Sequence, residues 1–438
     1  MNVASSYISS VQQTEEALLC IAASDGDICA FVATCPSTAR AEAKASDERR
    51  RKQALIGPLD GVPFAVKDNI AVAGLPTQSG TMAFGALATA DATVVARLRT
   101  AGAVLVGTLN MHEGALGATT DNPFWGRCVN PLKPGYTPGG SSGGSAAAIA
   151  ARMVPFTLGT DTMGSVRVPA AYCGVWALKP TKGRVPASGL TNLSWTLDTI
   201  GPLARDPGTL GAILSVIEGS DDMDMLSGPI PCDGPKPKSL LGLRLGVPDV
   251  AALTTCESEV LAAFEAFKLA LVAAGVILLP VVVAGWIPGA LRRAGLLISE
   301  VEGAEVLGDA VDGPGLSDSF RSMLNYGRSV KSGRLAQAYR QVQELSVSFD
   351  RAIEGLDGLL LPTTPQRAFT QGGQVPVNQA DFTALANVAG APALTIPLSS
   401  LDGDLPCAAQ IVGPRGSDNI LIALGELMQD MHSVWRAN

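Results

Sequence analysis

LGTDTMGSVRVPAAYCGVWALKPTKGR, residues 158–184, leaves an apolar run at Pro155–Gly159 and turns sharply at Thr162-Met163-Gly164-Ser165. Upstream, similar apolar runs at Val62–Val66 and Ala103–Gly107 alternate with helical patterns over Ala92–Ala101 and Ser145–Arg152. Downstream the pattern resumes at Gly358–Pro362. Strands alternating with helices imply an α/β fold, a sheet covered by helices on both faces. Residues 1–55 read as two polar, Ala-rich helices on the outside of that core. Residues 220–242 have the composition of an exposed linker. We expect a single domain over 1–438, with a core at 57–206, a variable substrate-side region at 243–357 and a return to the sheet at 358–438.

Bulk composition narrows the function. With 47% hydrophobic and 16% charged residues, the 438-residue chain can bury a large core. A net charge of −8 argues against a nucleic-acid surface, which needs clustered Lys and Arg. The eight cysteines are scattered without CxxC pairs, and no basic start leads into an apolar run, so a cytoplasmic protein with reduced thiols is expected. Leu269–Leu291 is free of charge for 23 residues, long enough for a membrane span. Its pattern reads otherwise: an amphipathic helix over Glu257–Ala274, a stop at Gly275, a short buried strand at Val276–Val281, and breaks at Pro280, Gly285 and Pro288. No membrane span, nucleic acid or cofactor is expected.

Two further segments carry chemistry-bearing side chains: GPLDGVPFAVKDNI at 57–70 and TPGGSSGGSAAAIAA at 137–151. Activating a serine usually needs an imidazole, and only His112 and His432 exist. GGSSGGS satisfies GxSxG, but the proline-rich residues before it cannot supply the strand that motif requires, and His432 sits in an amphipathic C-terminal helix pattern. A phosphate loop would need a Lys after its glycines, and none is present. Lysine can be a base only when neutral, and burial lowers its pKa from about 10.4. Lys67 ends an apolar run that would bury it; the bland alternative is a strand-end lysine paired with Asp68.

The three segments, in this order, resemble the amidase signature family, with weaker likeness at 359–365, 387–398 and 411–419. The resemblance implies a Ser-Ser-Lys triad in which Ser165 is the nucleophile and Ser141, 24 residues earlier, bridges to Lys67 through a loop with a cis peptide bond. It implies a large mixed sheet covered by helices on both faces, and acyl transfer on a small carboxamide, without metal or cofactor. The turn can aim the backbone N–H groups of Thr162, Met163 and Gly164 at an oxyanion. Ser142 would assist or hold the loop, Thr160 and Asp161 would brace the turn, and Arg167 would make a structural ion pair. LNMHE (109–113), TTDN (119–122) and CGVW (173–176) look most like the branches that include 1-carboxybiuret hydrolase and indoleacetamide hydrolase. Most relatives carry Gly where this chain has Met163, which would put a side chain at the mouth of the site. Arg321, Arg328 and Arg334 are candidates to pair with a substrate carboxylate, or are ordinary helix charges. The resemblance also admits a homodimer, the glutaminase (A-type) subunit of a tRNA-dependent amidotransferase, or a noncatalytic binding protein of the same fold.

Overall fold

The computed structural model describes residues 8–435 apart from 225, 229, 231–233, 249–252, 254, 400 and 401, and omits the side chains of 430–435. Its first half runs α1 (Ser10–Ile28), β1 (Phe31–Thr34), α2 (Pro36–Arg51), β2 (Pro63–Lys67), α3 (Thr93–Thr100), β3 (Val104–Leu109), a two-strand ribbon of β4 (Asp121–Asn122) and β5 (Gly126–Arg127), α4 (Gly143–Ala150), β6 (Phe156–Asp161), α5 (Arg167–Cys173), β7 (Trp176–Lys179), β8 (Thr199–Ala204) and α6 (Pro207–Ile217). The second half runs β9 (Arg244–Pro248), α7 (Ser258–Ala273), β10 (Ile277–Val281), α8 (Pro288–Leu307), α9 (Asp318–Ser329), α10 (Ser332–Ala352), β11 (Gly358–Pro362), α11 (Ala384–Val388), β12 (Ala393–Leu398), β13 (Cys407–Val412) and α12 (Asp418–Trp435).

All but β4 and β5 join one sheet of 11 strands, ordered β1-β3-β2-β6-β8-β7-β12-β13-β11-β9-β10. Its central strands are buried along their whole length, as expected where helices cover both faces. Phe64 on β2 stacks on Phe156 on β6 with ring centroids 5.3 Å apart. The parallel pairing of β2 with β6 puts Val66 opposite Leu158, so Lys67 and Thr160 emerge at the same edge of the sheet. α4 delivers the serine loop to that edge. Its sequence, GGSAAAIA, is buried except at its last residue because the backbone runs so close to its neighbours: a Cβ on Gly144 would lie 2.4 Å from Asn110 O and 2.6 Å from Ala30 O.

Three expectations meet the structure here, and two of them change. The N-terminal helices are separated by β1, an edge strand antiparallel to β3, whose four residues are too short to register as a period. The segment read as a buried strand at 276–281 is instead the opposite edge strand, with Ile277 47% exposed and Pro280, which has no N–H, set in its middle. The helix before it does end as read, at Gly275 with φ +91°. Among the described residues no helix is long and apolar enough to cross a membrane. Cys20, Cys29, Cys35, Cys128, Cys173, Cys256 and Cys407 are free thiols, and Cys173 is buried in the core; Cys232 lies outside the described residues.

The C-terminal helix is tied to the core by one carboxylate. Asp418 is fully buried and accepts from Thr181 N–H (2.8 Å), Thr181 Oγ1 (2.6 Å) and Arg184 Nη1 (2.9 Å). Removing it leaves a buried guanidinium short of one partner. Asp418→Ala is therefore expected to cost about 3 kcal/mol in chemical denaturation, whereas Glu48→Ala in an exposed pair costs less than about 0.5 kcal/mol.

Candidate active site

Lys67 is the last residue of β2 and is 0% exposed. Its Nζ lies 2.7 Å from Ser141 Oγ and 2.7 Å from Thr160 Oγ1, and among the described residues no carboxylate pairs with it directly. Burial pushes its pKa down to about 7, against a weaker upward pull from Asp198 and Asp161. The pairing with Asp68 considered from sequence does not form: Asp68 Oδ2 accepts instead from Gly80 N–H at 3.0 Å.

Ser141 is also 0% exposed, and the Gly140–Ser141 peptide bond is cis. Its carbonyl accepts the His112 N–H at 3.0 Å. Ser142 holds the loop: its N–H donates to Ser165 O (3.1 Å), and its hydroxyl donates to Thr160 O (3.1 Å) and accepts from Thr160 N–H (3.2 Å). Ser165 is half-buried and makes no side-chain hydrogen bond among the described residues. The structure thus brings Lys67, Ser141 and Ser165 to one place, with the first two hidden and the third reachable.

Two bracing residues divide the work differently from expectation. The Thr160 hydroxyl faces Lys67 rather than the turn. Asp161 alone braces the turn, accepting from Gly164 N–H (2.6 Å), Val166 N–H (3.2 Å), Arg167 Nε and Nη2 (both 3.0 Å) and Asn387 Nδ2 (2.8 Å). Burial pushes the Asp161 pKa up, but Arg167 and Asn387 outweigh it and hold the carboxyl down at about 2. Arg167 is fully buried in this network, with Gln410 and Asn387 as further acceptors, and is a structural cation.

This geometry also revises the oxyanion donors. Gly164 N–H is spent on Asp161, while the N–H groups of Thr162, Met163 and Ser165 have no acceptor among the described residues. Gly164 has φ +132°, and a Cβ there would stand 2.2 Å from Thr383 Oγ1, so the position admits only glycine. Met163 is half-buried beside Ser165. Its thioether packs against α8, where a Cβ on Gly295 would fall 2.3 Å from Sδ, and its carbonyl accepts from Thr383 Oγ1 at 2.6 Å.

Several residues that the sequence does not single out complete the site. Asp198, just before β8, accepts from Thr162 Oγ1 (2.5 Å) and from Leu193 and Ser194 N–H (2.8 and 3.1 Å). Burial raises its pKa. Glu302 on α8, 1% exposed, gathers Ser194 Oγ, Thr196 Oγ1 and Tyr339 OH, each at 2.5 Å, and Thr196 N–H at 3.1 Å. A chain of hydrogen bonds therefore runs from α10 through α8 and the 193–198 loop to the catalytic turn. Its only signals in the sequence are a solitary Asp ahead of an apolar run and a Glu on an otherwise apolar helix face.

Burial drops the His112 pKa to about 4, and its ring lies against Thr119 Oγ1 at 3.2 Å. The His432 side chain falls outside the described residues. The three arginines considered for a substrate carboxylate are engaged elsewhere. Arg321 donates to the carbonyls of Val311 and Gly313, Arg328 to Asp312 and Gly308 O, and Arg334 lies 5.7 Å over the Tyr326 ring.

Known proteins resemble the chain along almost its whole length. The Amidase family model matches residues 12–422. The A-type subunit of the glutamyl-tRNA(Gln) amidotransferase of Anaeromyxobacter dehalogenans is 37% identical, covering 94% of this chain and 90% of the relative. Among solved structures, a chain from a vestigial protein complex tied to the origins of an s-triazine catabolic enzyme superposes with a TM-score of 0.88 at 32% identity. It covers 97% of this chain and 95% of that one. Native peptide amidase from Stenotrophomonas maltophilia gives 0.86 at 29% identity, covering 97% and 93%.

The geometry makes the rate sensitive to pH and to a distant carboxylate. A base must be deprotonated to act, so kcat/KM should rise with pH through about 7, the Lys67 value, and level off above it. A pH–rate profile reads this directly, and a profile that stays flat across that value contradicts it. Glu302→Gln, which weakens the anchor of the 193–198 loop, should lower kcat about tenfold to a hundredfold through misplacement of the turn, with KM little changed and the fold intact by circular dichroism.

Proposed function

The chain belongs to the amidase family and hydrolyses amide C–N bonds, and from that premise we propose that it releases ammonia from a small carboxamide through a Ser165 acyl-enzyme. The observation that carries this reading is the fully buried Lys67 amine, its pKa lowered to about 7, in contact with Ser141 beside an accessible Ser165.

Rotation of the Ser165 side chain brings its hydroxyl to Ser141. As Ser165 Oγ attacks the amide carbon, its proton passes to Ser141 Oγ while the Ser141 proton passes to Lys67 Nζ. The carbonyl oxygen becomes negative facing the N–H groups of Thr162, Met163 and Ser165; losing one such donor costs on the order of a hundredfold to a thousandfold. The relay then runs backwards: Lys67 returns its proton through Ser141 to the departing nitrogen, the C–N bond breaks, and ammonia leaves. Water attacks the ester by the same route, giving the carboxylate and restoring Ser165. Thr160 orients the Lys67 amine throughout.

The setting of this chemistry has two readings. The curated relatives are subunits of glutamyl-tRNA(Gln) amidotransferases, which supports a glutaminase that feeds ammonia to a protein partner. That favours a heteromeric partner over the homodimer considered from sequence. The solved neighbours include a peptide amidase, at 29% identity, which supports a stand-alone amidase.

The purified protein, offered a panel of primary carboxamides including glutamine, should release ammonia and react with a serine-directed fluorophosphonate. Ser165→Ala and Lys67→Ala should abolish ammonia release, and Ser165→Ala should also abolish labelling. Ammonia release unaffected by Ser165→Ala overturns the reading. Glutaminase activity that appears only on adding the other proteins of an amidotransferase selects the first setting.

A further inference from the structure

α8 lays one face along the catalytic turn. Gly295 meets Met163, Ser299 donates to Gly295 O at 2.9 Å, Glu302 anchors the 193–198 loop, and Gly303 backs onto Leu193. Positions 295, 299, 302 and 303 share a face because of the 3.6-residue repeat. Arg292, three residues before Gly295, continues that face by about 4.5 Å along the axis.

Its guanidinium is half used. Nε donates to Asp381 Oδ1 at 2.6 Å, and the two terminal nitrogens have no partner among the described residues. Asp381 is two residues before Thr383, the residue that grips the Met163 carbonyl and abuts Gly164. The Arg292–Asp381 pair is therefore fixed at both ends to elements that hold the turn. Its side chains are 17% and 7% exposed, so the guanidinium is reachable yet largely shielded from water. Arg167, by contrast, is sealed, and Arg321 and Arg328 are bound to main-chain carbonyls.

A planar fork with two free nitrogens, its Nε held by a carboxylate, matches the two oxygens of another carboxylate. We propose that Arg292 is the carboxylate anchor of the substrate site, and that the preferred substrate is a short amic acid, a primary amide whose acyl chain ends in a carboxylate. This rests on the amidase reading above. Asp381 serves to position the guanidinium, leaving the terminal nitrogens to the substrate. Met163 fills the gap between the turn and Gly295.

The test compares matched pairs, succinamate against butyramide and glutaramate against pentanamide. Wild type should favour each acid, and Arg292→Gln should lower kcat/KM for the acids about 10- to 100-fold, mostly through KM, as expected for loss of a charge-assisted pair. Its kcat/KM for the neutral amides should fall far less, so that the preference for the acid over its neutral partner is lost. Arg292→Lys should fall between, and Arg293→Gln, at an exposed neighbouring position, should match wild type. Equal treatment of acid and neutral amide by wild type, or an equal loss on both in Arg292→Gln, overturns the proposal while ammonia release and fluorophosphonate labelling uphold the amidase reading. Should no amide be turned over, calorimetric binding of succinate still decides: binding lost in Arg292→Gln sustains the anchor, and binding that is absent or indifferent to the change removes it.

Discussion

An amine buried without a counter-ion is the constraint on which the rest of this structure depends. Lys67 is wholly enclosed, and its two direct partners are hydroxyls. Enclosing a full positive charge on those terms is costly, so the group sheds its proton instead. The nearest carboxylates, Asp198 and Asp161, each serve other partners, and their pull is too weak to restore the charge. Had either been placed against Nζ, an ion pair would have kept the lysine protonated and useless as a base.

That arrangement obliges the protein to dispose of Asp161 elsewhere. Arg167 neutralises it, and Asn387 and Gln410 from distant segments complete the shell. The network fastens β6, α5, α11 and β13 together directly beneath the turn. A second enclosed lysine, Lys179 on β7, shows the same response to burial, its pKa falling to about 7. Among the described residues its Nζ donates only to the Pro180 carbonyl at 2.8 Å, so it has the electrostatics of a base without a nucleophile to serve. Proximity to the serine loop, and not pKa alone, separates the two.

What the sequence can reveal of each residue depends on where that residue finds its partners. Lys67, Ser141 and Ser165 lie in segments whose glycines, serines and apolar flanks announce them locally, and the alternation of strands and helices carries the sheet. Thr160 is marked as part of the site but not in its right role, because whether a strand-end hydroxyl turns to the loop or to the lysine is decided by the β2–β6 register. Gly164 looks like a free donor because local sequence cannot show that a carboxylate three residues earlier takes its N–H. Asp198, Glu302 and Arg292 escape for a stronger reason: each acts through a partner 36 to 108 residues away, and their own neighbourhoods mark them faintly at most. The edge position of β10 is hidden in the same manner, since an apolar run looks identical in the centre of a sheet and at its rim.

α8 joins catalysis to substrate choice in one rigid element. Gly295, Glu302 and Arg292 occupy the same face, so the helix cannot shift to suit a different acyl group without moving the loop held by Glu302 and, through Asp198, the Thr162 hydroxyl. Nor can Gly295 gain a side chain while Met163 keeps its place. Substrate preference and turn geometry are then not independent variables in this chain. A substitution at Met163 that enlarges the pocket must also remove the contact that seats the turn against α8, so wider specificity comes coupled to a looser oxyanion site unless Gly295 is filled in compensation.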